Sequence, residues 1–255
     1  MVVDKQDVHG GHGKAAQGLL MGHPRPQLLQ LGGGPTTNTL KWAEYSDLAS
    51  PTYFLVTESL LNIEREVEAA GGHRNTDALY YTRRVEYPWA FLQIPEDAQI
   101  VLDAGGGPAT FQYMLARHIP VVYNVDSYPD WVERVGKTKA LLKDMGELVV
   151  VTRDLCDLSN FKDKSFDAAT CISVMEHAGA NKASRIIDEL LRVTKGPILM
   201  TVDVGSGDLE LMPPDVLYAL GERYKFTVPD LPIDAMYCKS VRGNGFHVAC
   251  IRLEG

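Results

Sequence analysis

From residue 99 onward, short apolar runs alternate with stretches whose apolar residues recur every three or four positions. Ile100, Val101 and Leu102 form the first run, long enough for a buried parallel strand. A glycine turn follows, and Phe111, Met114, Leu115 and His118 then keep helical spacing. The pattern repeats. Strands are predicted at Pro120–Val125, Glu147–Thr152, Phe166–Ser173 and Pro197–Val202. Between them, a helix over Trp131–Leu142 places Trp131, Val135 and Leu142 on one face. A second helix, over Asn181–Val193, carries an apolar face of Ala183, Ile186, Ile187, Leu190, Leu191 and Val193 before Gly196 stops it. Repeated βα units predict an α/β fold with a doubly wound, mostly parallel sheet. The ending differs. A helix from Asp215 is expected to stop at Gly221, and Ala235–Val241 and Phe246–Leu253 then flank Arg242-Gly-Asn-Gly245. That arrangement predicts a terminal antiparallel β-hairpin. Tyr224–Val228 is left open as strand or loop.

Ahead of the βα repeats the pattern is helical. Ser50-Pro51 is a strong helix start, Leu55, Ser59, Leu60, Ile63 and Val67 follow, and Gly71-Gly72 closes the run. A further helical piece is expected over Thr76–Arg84. Residues 40–95 therefore read as an N-terminal helical extension, a lead-in or lid over one edge of the core that 96–255 forms. Residues 1–39, rich in Gly, His, Gln and Pro, read as a flexible arm. His9, His12 and His23 lie in it without carboxylate or thiol companions, so no metal site is expected there. Leu31-Gly-Gly-Gly-Pro35 imitates a ligand-binding glycine turn, but no apolar strand precedes it, and it reads as a linker.

Composition narrows the function classes. The chain has 255 residues, 45% hydrophobic and 23% charged, with a net charge of −8. An acidic balance disfavours a nucleic-acid docking surface, and no nucleic-acid partner is expected. Cys156, Cys171, Cys238 and Cys250 form no CxxC pair and read as reduced thiols. No run approaches the ~20 apolar residues of a membrane span, and the N-terminus lacks a signal-peptide core. The expectation is a cytoplasmic protein with no membrane partner.

The candidate chemistry gathers where the strands end. In Val101-Leu-Asp-Ala-Gly-Gly-Gly-Pro-Ala-Thr-Phe111, Gly105, Gly106 and Gly107 allow positive φ and close approach of a ligand to bare backbone. A dinucleotide fingerprint needs a third glycine where Thr110 stands, and a phosphate-binding loop needs Gly-Lys-Ser/Thr directly after its glycines; neither follows this turn. Asp103, two residues before Gly105, would repel a pyrophosphate. It would instead attract a cationic ligand, or order the turn by accepting backbone N–H bonds. The ligand is then a nucleoside without pyrophosphate and with positive charge. Asp126, at the end of the second strand, can take both ribose hydroxyls. Asp154 and Leu155 follow the third strand, where a carboxylate can accept an adenine amino group and a leucine can cover the ring; Asp157 competes with Asp154. In Tyr80–Trp89, aromatics and arginines alternate, so Arg83, Arg84 or Tyr87 either reaches a ligand carboxylate or belongs to core and surface.

Taken in order, Val101–Gly107, Asn124-Val-Asp126, Arg153-Asp-Leu155, Phe166-Asp…Met175-Glu-His177 and Leu191–Gly196 resemble the class I S-adenosylmethionine-dependent methyltransferases, over residues 87–255. Within that family the chain looks closest to members acting on small molecules. The resemblance implies a Rossmann-like fold, S-adenosyl-L-methionine as cofactor, and methyl transfer to an oxygen, nitrogen or carbon nucleophile. It implies that Gly105–Gly107 line the methionine part, Asp126 the ribose, Asp154 and Leu155 the adenine, that Ser173 lies near the sulfonium, and that Ser127 belongs to the cofactor site. Glu176 and His177, just past the fourth strand, are the catalytic candidates: a proton acceptor there, or a pair that only orients the loop. No metal is expected. Two alternatives stand beside a small-molecule acceptor. One is a carrier-bound or macromolecular substrate docked by the N-terminal region; the other is a non-catalytic nucleoside-binding partner.

Overall fold

The computed structural model describes residues 37–72, 82–207, 210–240 and 242–255. The histidines and glycines singled out in the arm, and most of the helix expected over 76–84, lie outside the described residues. Eight strands among the described residues form one sheet. In chain order they are β1 (Thr39–Trp42), β2 (Ile100–Ala104), β3 (Val121–Asp126), β4 (Glu147–Thr152), β5 (Ala168–Ile172), β6 (Pro197–Gly205), β7 (Tyr237–Lys239) and β8 (Gly245–Glu254). The spatial order is β1-β8-β6-β5-β2-β3-β4, with β7 paired to β8. β2, β3, β4, β5 and β6 run parallel; β8 runs antiparallel to β6, β1 and β7.

The helices are α1 (Pro51–Ala69), α2 (Arg83–Gln93), α3 (Phe111–His118), α4 (Pro129–Lys139), α5 (Met175–Ala178), α6 (Ala180–Val193) and α7 (Pro214–Tyr224). Ser50 caps α1, its hydroxyl accepting from the Tyr53 N–H, with Pro51 in the first turn. Successive strand residues serve opposite faces of the sheet. Val101 and Val122 pack with α1, α2 and α3 in one core; Leu102, Ala104 and Val125 pack with α6 and α7 in the other. The face of α6 buries Ala183, Ile186, Ile187, Leu190 and Val193, each larger side chain contributing roughly 1.5–3 kcal/mol.

Three details depart from the sequence expectation. The stretch read as purely helical opens with a strand. Thr39–Trp42 pairs with Ala249–Arg252, and Asn38 ties it down by donating to the Tyr224 carbonyl at 2.6 Å. Four residues carry too short an alternation to stand out in a polar, glycine-rich context. Next, α7 continues through Gly221 to Tyr224. Gly221 is there for space, since a Cβ would lie 2.8 Å from the Phe226 carbonyl, and the left-handed Lys225 ends the helix. Last, Trp131 does not share a buried face with Val135; it is 41% exposed and lies over Gly107.

The topology fixes where a ligand can bind. From β2 the chain winds outward through β3 and β4, then returns across β2 to β5 and winds the other way. The crevice at the carboxyl ends of β2 and β5 is therefore the switch point of the sheet.

Candidate active site

A cavity of about 630 Å³ opens at that switch point. Its floor is the turn after β2. Gly105 and Gly107 have φ of +72° and +53°, which side-chain-bearing residues rarely adopt. At Gly106 the constraint is contact instead, because a Cβ would run into the side chains of Asp103 and Asn124. The turn is held by backbone donors. Gly105 N–H donates to the Val125 carbonyl at 2.7 Å, and Gly107 N–H to Asp126 Oδ2 at 3.1 Å.

Asp103 does not order the turn through backbone N–H groups, one of the two roles its position allowed. It is buried, its Oδ1 accepts from the Thr170 hydroxyl at 2.7 Å, and its Oδ2 has no hydrogen-bond partner. Burial pushes its pKa up to about 6, with the Asp126 charge adding and the Thr170 and Asn124 side chains opposing. Asp126 holds the turn instead. Its Oδ1 accepts from Tyr128 N–H at 2.9 Å, and the carboxylate keeps acceptor capacity beyond its backbone donors. Burial raises the Asp126 pKa, opposed by the backbone N–H groups of Tyr128, Gly107 and Ser127.

Nearly every site residue read from the sequence reaches this one cavity. Asp103, Gly105, Gly106, Gly107, Asp126, Ser127, Asp154, Leu155, Ser173 and His177 all line it. Asp154 is exposed at the rim, and the Cys156 N–H bond to its Oδ1 at 2.9 Å holds it below the usual carboxylate range. Its competitor Asp157 is engaged elsewhere, with Arg153 at 3.0 Å and the Ser159 N–H at 3.2 Å. Of the three α2 candidates, Arg83 and Tyr87 line the cavity.

Glu176 needs correction. The sequence places it beside His177 at the acceptor's edge, but the structure turns it inward. It is 4% exposed, outside the cavity lining, and neither carboxylate oxygen has a hydrogen-bond partner. One turn of α5 cannot aim two successive side chains the same way, since neighbours on a helix diverge by about 100°. His177 takes the cavity. Burial lowers its pKa, with Arg83 adding to the effect and Glu210 opposing it, so the imidazole is neutral near pH 7.

A polar network backs the cavity and was missed in the sequence. Arg83 Nη1 donates to Glu86 Oε2 at 2.5 Å and to the Ser173 hydroxyl at 2.6 Å. Glu86 Oε1 accepts from Ser173 at 2.8 Å and from Thr201 at 2.6 Å. Burial works against the Arg83 charge, but Glu86, Tyr87 and Asp203 outweigh it, so the guanidinium stays protonated. Ser173 sits at φ +50°, an uncommon value for a residue with a side chain, and its N–H donates to the Thr201 carbonyl at 3.0 Å. The Arg83–Glu86 spacing of three was a legible signal of an ion pair. Thr201, more than a hundred residues away, gave none. Tyr128 and Trp131, whose ring centroids lie 4.5 Å apart at a 40° tilt at the mouth, were also missed.

The site is a glycine-floored cavity with three carboxylates and an apolar wall. Residues 102–197 match the family model of a methyltransferase domain. That stretch is a methyltransferase domain. Among solved structures, the methyltransferase is similar to magnesium protoporphyrin IX methyltransferase from Synechocystis PCC 6803 with bound SAM. The identity is 14%, over 80% of this chain and 96% of that one, with a TM-score of 0.50. It is also similar to an arsenic(III) S-adenosylmethionine methyltransferase from Chlamydomonas reinhardtii, at 18% identity over 64% of this chain and 66% of that one, TM-score 0.50. At these identities the likeness speaks for the fold. No curated protein matches the sequence.

The Synechocystis protein was solved with bound SAM, and the residues present here fit that group. The cavity volume suits a ligand of that size. The unpartnered Asp103 Oδ2 and the spare lone pairs of Asp126 offer acceptors for its ammonium and hydroxyl groups. Among the described residues no His, Cys, Asp and Glu cluster could hold a metal ion, and no helix is long and apolar enough to cross a membrane.

Proposed function

We propose that this methyltransferase acts on a small molecule, at an oxygen, nitrogen or carbon nucleophile presented beside His177. The observation that carries the reading is that the residues read as cofactor-binding and the candidate base line one cavity of about 630 Å³. A volume of that order takes a cofactor and a compact acceptor together. The net charge of −8 gives a phosphate backbone little electrostatic footing.

In this reading Asp126 and Ser127 hold the ribose, while Asp154 meets the adenine amino group and Leu155 covers the ring. Gly105, Gly106 and Gly107 lie against the methionine part, with Asp103 facing its ammonium and Ser173 near the sulfonium. Arg83 has hydrogen bonds on Nη1 alone among the described residues, so its other N–H groups remain for a ligand carboxylate. Bound S-adenosylmethionine supplies a methyl group already activated for in-line displacement. The chain's own residues align the partners, exclude water and accept a proton. His177, neutral near pH 7 and lining the cavity, takes the proton from an acceptor hydroxyl or ammonium. Residues 40–95 act as a lid through α2, which brings Arg83 and Tyr87 to the cavity. Four free cysteines, three of them buried, support action in the cytoplasm.

The experiment is to incubate the full chain with S-adenosylmethionine labelled in the methyl group and a cell extract split by ultrafiltration. Label entering the low-mass fraction supports the reading. Label confined to the protein or nucleic-acid fraction overturns it in favour of a macromolecular acceptor.

A further inference from the structure

Behind the cavity wall, more carboxyl groups surround Arg83 than it can neutralise. Glu86 is the first, and both its oxygens are engaged, Oε2 by Arg83 and Oε1 by Ser173 and Thr201. Glu176 on α5 and Asp203 on β6 are the others. Both Glu176 oxygens and Asp203 Oδ1 are buried without a hydrogen-bond partner. Two more ionised carboxylates here would stand against one guanidinium already paired, in a medium that solvates them poorly. The remaining titratable neighbours bring no compensating cation. Cys171 of β5, Cys238 of β7 and Cys250 of β8 face the same acids, and burial holds all three as thiols. His177 faces Arg83 and is neutral.

We propose that Glu176 and Asp203 hold a shared proton beneath Arg83, and that a carboxylate ligand reaching Arg83 binds together with that proton. The proposal rests on the reading above, in which Arg83 meets a ligand carboxylate. The physical reason is electrostatic. An incoming carboxylate adds one more negative charge to the cluster, so the acid pair holds its proton more tightly when the ligand is bound. Thermodynamic linkage then requires proton uptake on binding and weaker binding at higher pH. The window follows from the free state. Burial, with Glu86 adding and Arg83 opposing, pushes the Asp203 pKa up to about 7, and burial and Asp203 push Glu176 well above its usual range. Affinity is therefore full below about 7 and falls above it. Asp203 and Glu176 are positioning residues in this account: they set the charge that Arg83 presents.

The test is calorimetry of the full chain with S-adenosylhomocysteine at mildly alkaline pH, in phosphate and in Tris, whose ionisation enthalpies differ. A fraction of a proton is expected to be taken up. Affinity is expected to fall with pH, by no more than about tenfold per unit for one linked proton. Asp203→Asn, and Glu176→Gln as a second variant, are expected to reduce the uptake and flatten the pH dependence. Methylthioadenosine, which lacks the carboxylate, is expected to bind without uptake. No uptake by the unaltered protein, or an uptake that survives both variants and vanishes in His177→Gln, overturns the proposal. Arg83→Met separates it from its premise: undiminished affinity for S-adenosylhomocysteine there refutes the assignment of Arg83 itself.

Discussion

Asp126 Oδ2 accepts the backbone N–H of Gly107 at 3.1 Å, so the acid at the end of β3 holds the glycine turn that follows β2. The residue proposed to hold the ribose is also a structural support of the loop proposed to hold the methionine part. A change at Asp126 therefore acts on both halves of the cofactor site at once.

The turn itself tolerates no side chain at its centre. Gly106→Ala places a methyl group against Asp103 and Asn124, both buried. The variant is expected to lose about 1–3 kcal/mol of stability and to bind S-adenosylhomocysteine more weakly. Thermal melting with and without ligand reads both effects. An unchanged melting temperature would mean the turn is looser than its contacts imply.

Asp103 should trade stability for binding. Its folded-state pKa lies above its ordinary value of 3.8, at about 6, so the native state binds more protons than the unfolded chain between those values. Stability is lost as pH rises through that window, and the cost is complete above about 6. Asp103→Asn keeps an acceptor for Thr170 and removes the buried charge. It is expected to stabilise the fold near pH 7.5 by on the order of 2 kcal/mol, read as a higher melting temperature, while weakening cofactor binding. A lower melting temperature in the ligand-free variant would refute this account of the site.

The Arg83–Glu86 pair is expected to be costly to break from either side. Glu86→Ala strips Arg83 of its partner and leaves the Ser173 and Thr201 hydroxyls without their acceptor. A loss of about 1–3 kcal/mol is expected, from the buried donors left without an acceptor. Urea unfolding of Glu86→Ala against Glu86→Gln measures it, and Gln should recover part of the loss by accepting from the two hydroxyls.

His177 is the proposed base, and its pKa lies below the ordinary 6.5. Turnover at saturating substrate is expected to rise as pH increases through that lowered value and to level off near neutrality. His177→Ala should lower turnover about 10²–10⁴-fold with cofactor affinity nearly unchanged. A pH profile that keeps its acid limb in the variant would assign the limb to another group.

Much of this was legible because it is local. The strand–turn–helix at Val101–Phe111, the acids at strand ends and the apolar face of α6 are each written in consecutive or periodic residues. A parallel sheet then delivers all its carboxyl ends to one rim, so Asp103, Asp126, Asp154 and Ser173 arrive together. The illegible parts are those that tertiary contact decides. Glu176 and His177 are adjacent in sequence, and α5 sends one into the core and the other into the cavity. Thr201 reaches Glu86 across 115 positions, which no pattern encodes. Trp131 has helical spacing with Val135, yet it lies over Gly107 because the cavity, not the core, is on that side.

The most direct test of the central claim is calorimetric titration of the full chain with S-adenosylmethionine, repeated for Asp126→Ala. Saturable binding by the unaltered protein is expected, weakened about tenfold or more in the variant, since a charged contact to two hydroxyls contributes ~1.5–3 kcal/mol. Equal affinity in the two proteins, or no heat of binding at millimolar cofactor, would contradict the assignment of this cavity as the methyl-donor site.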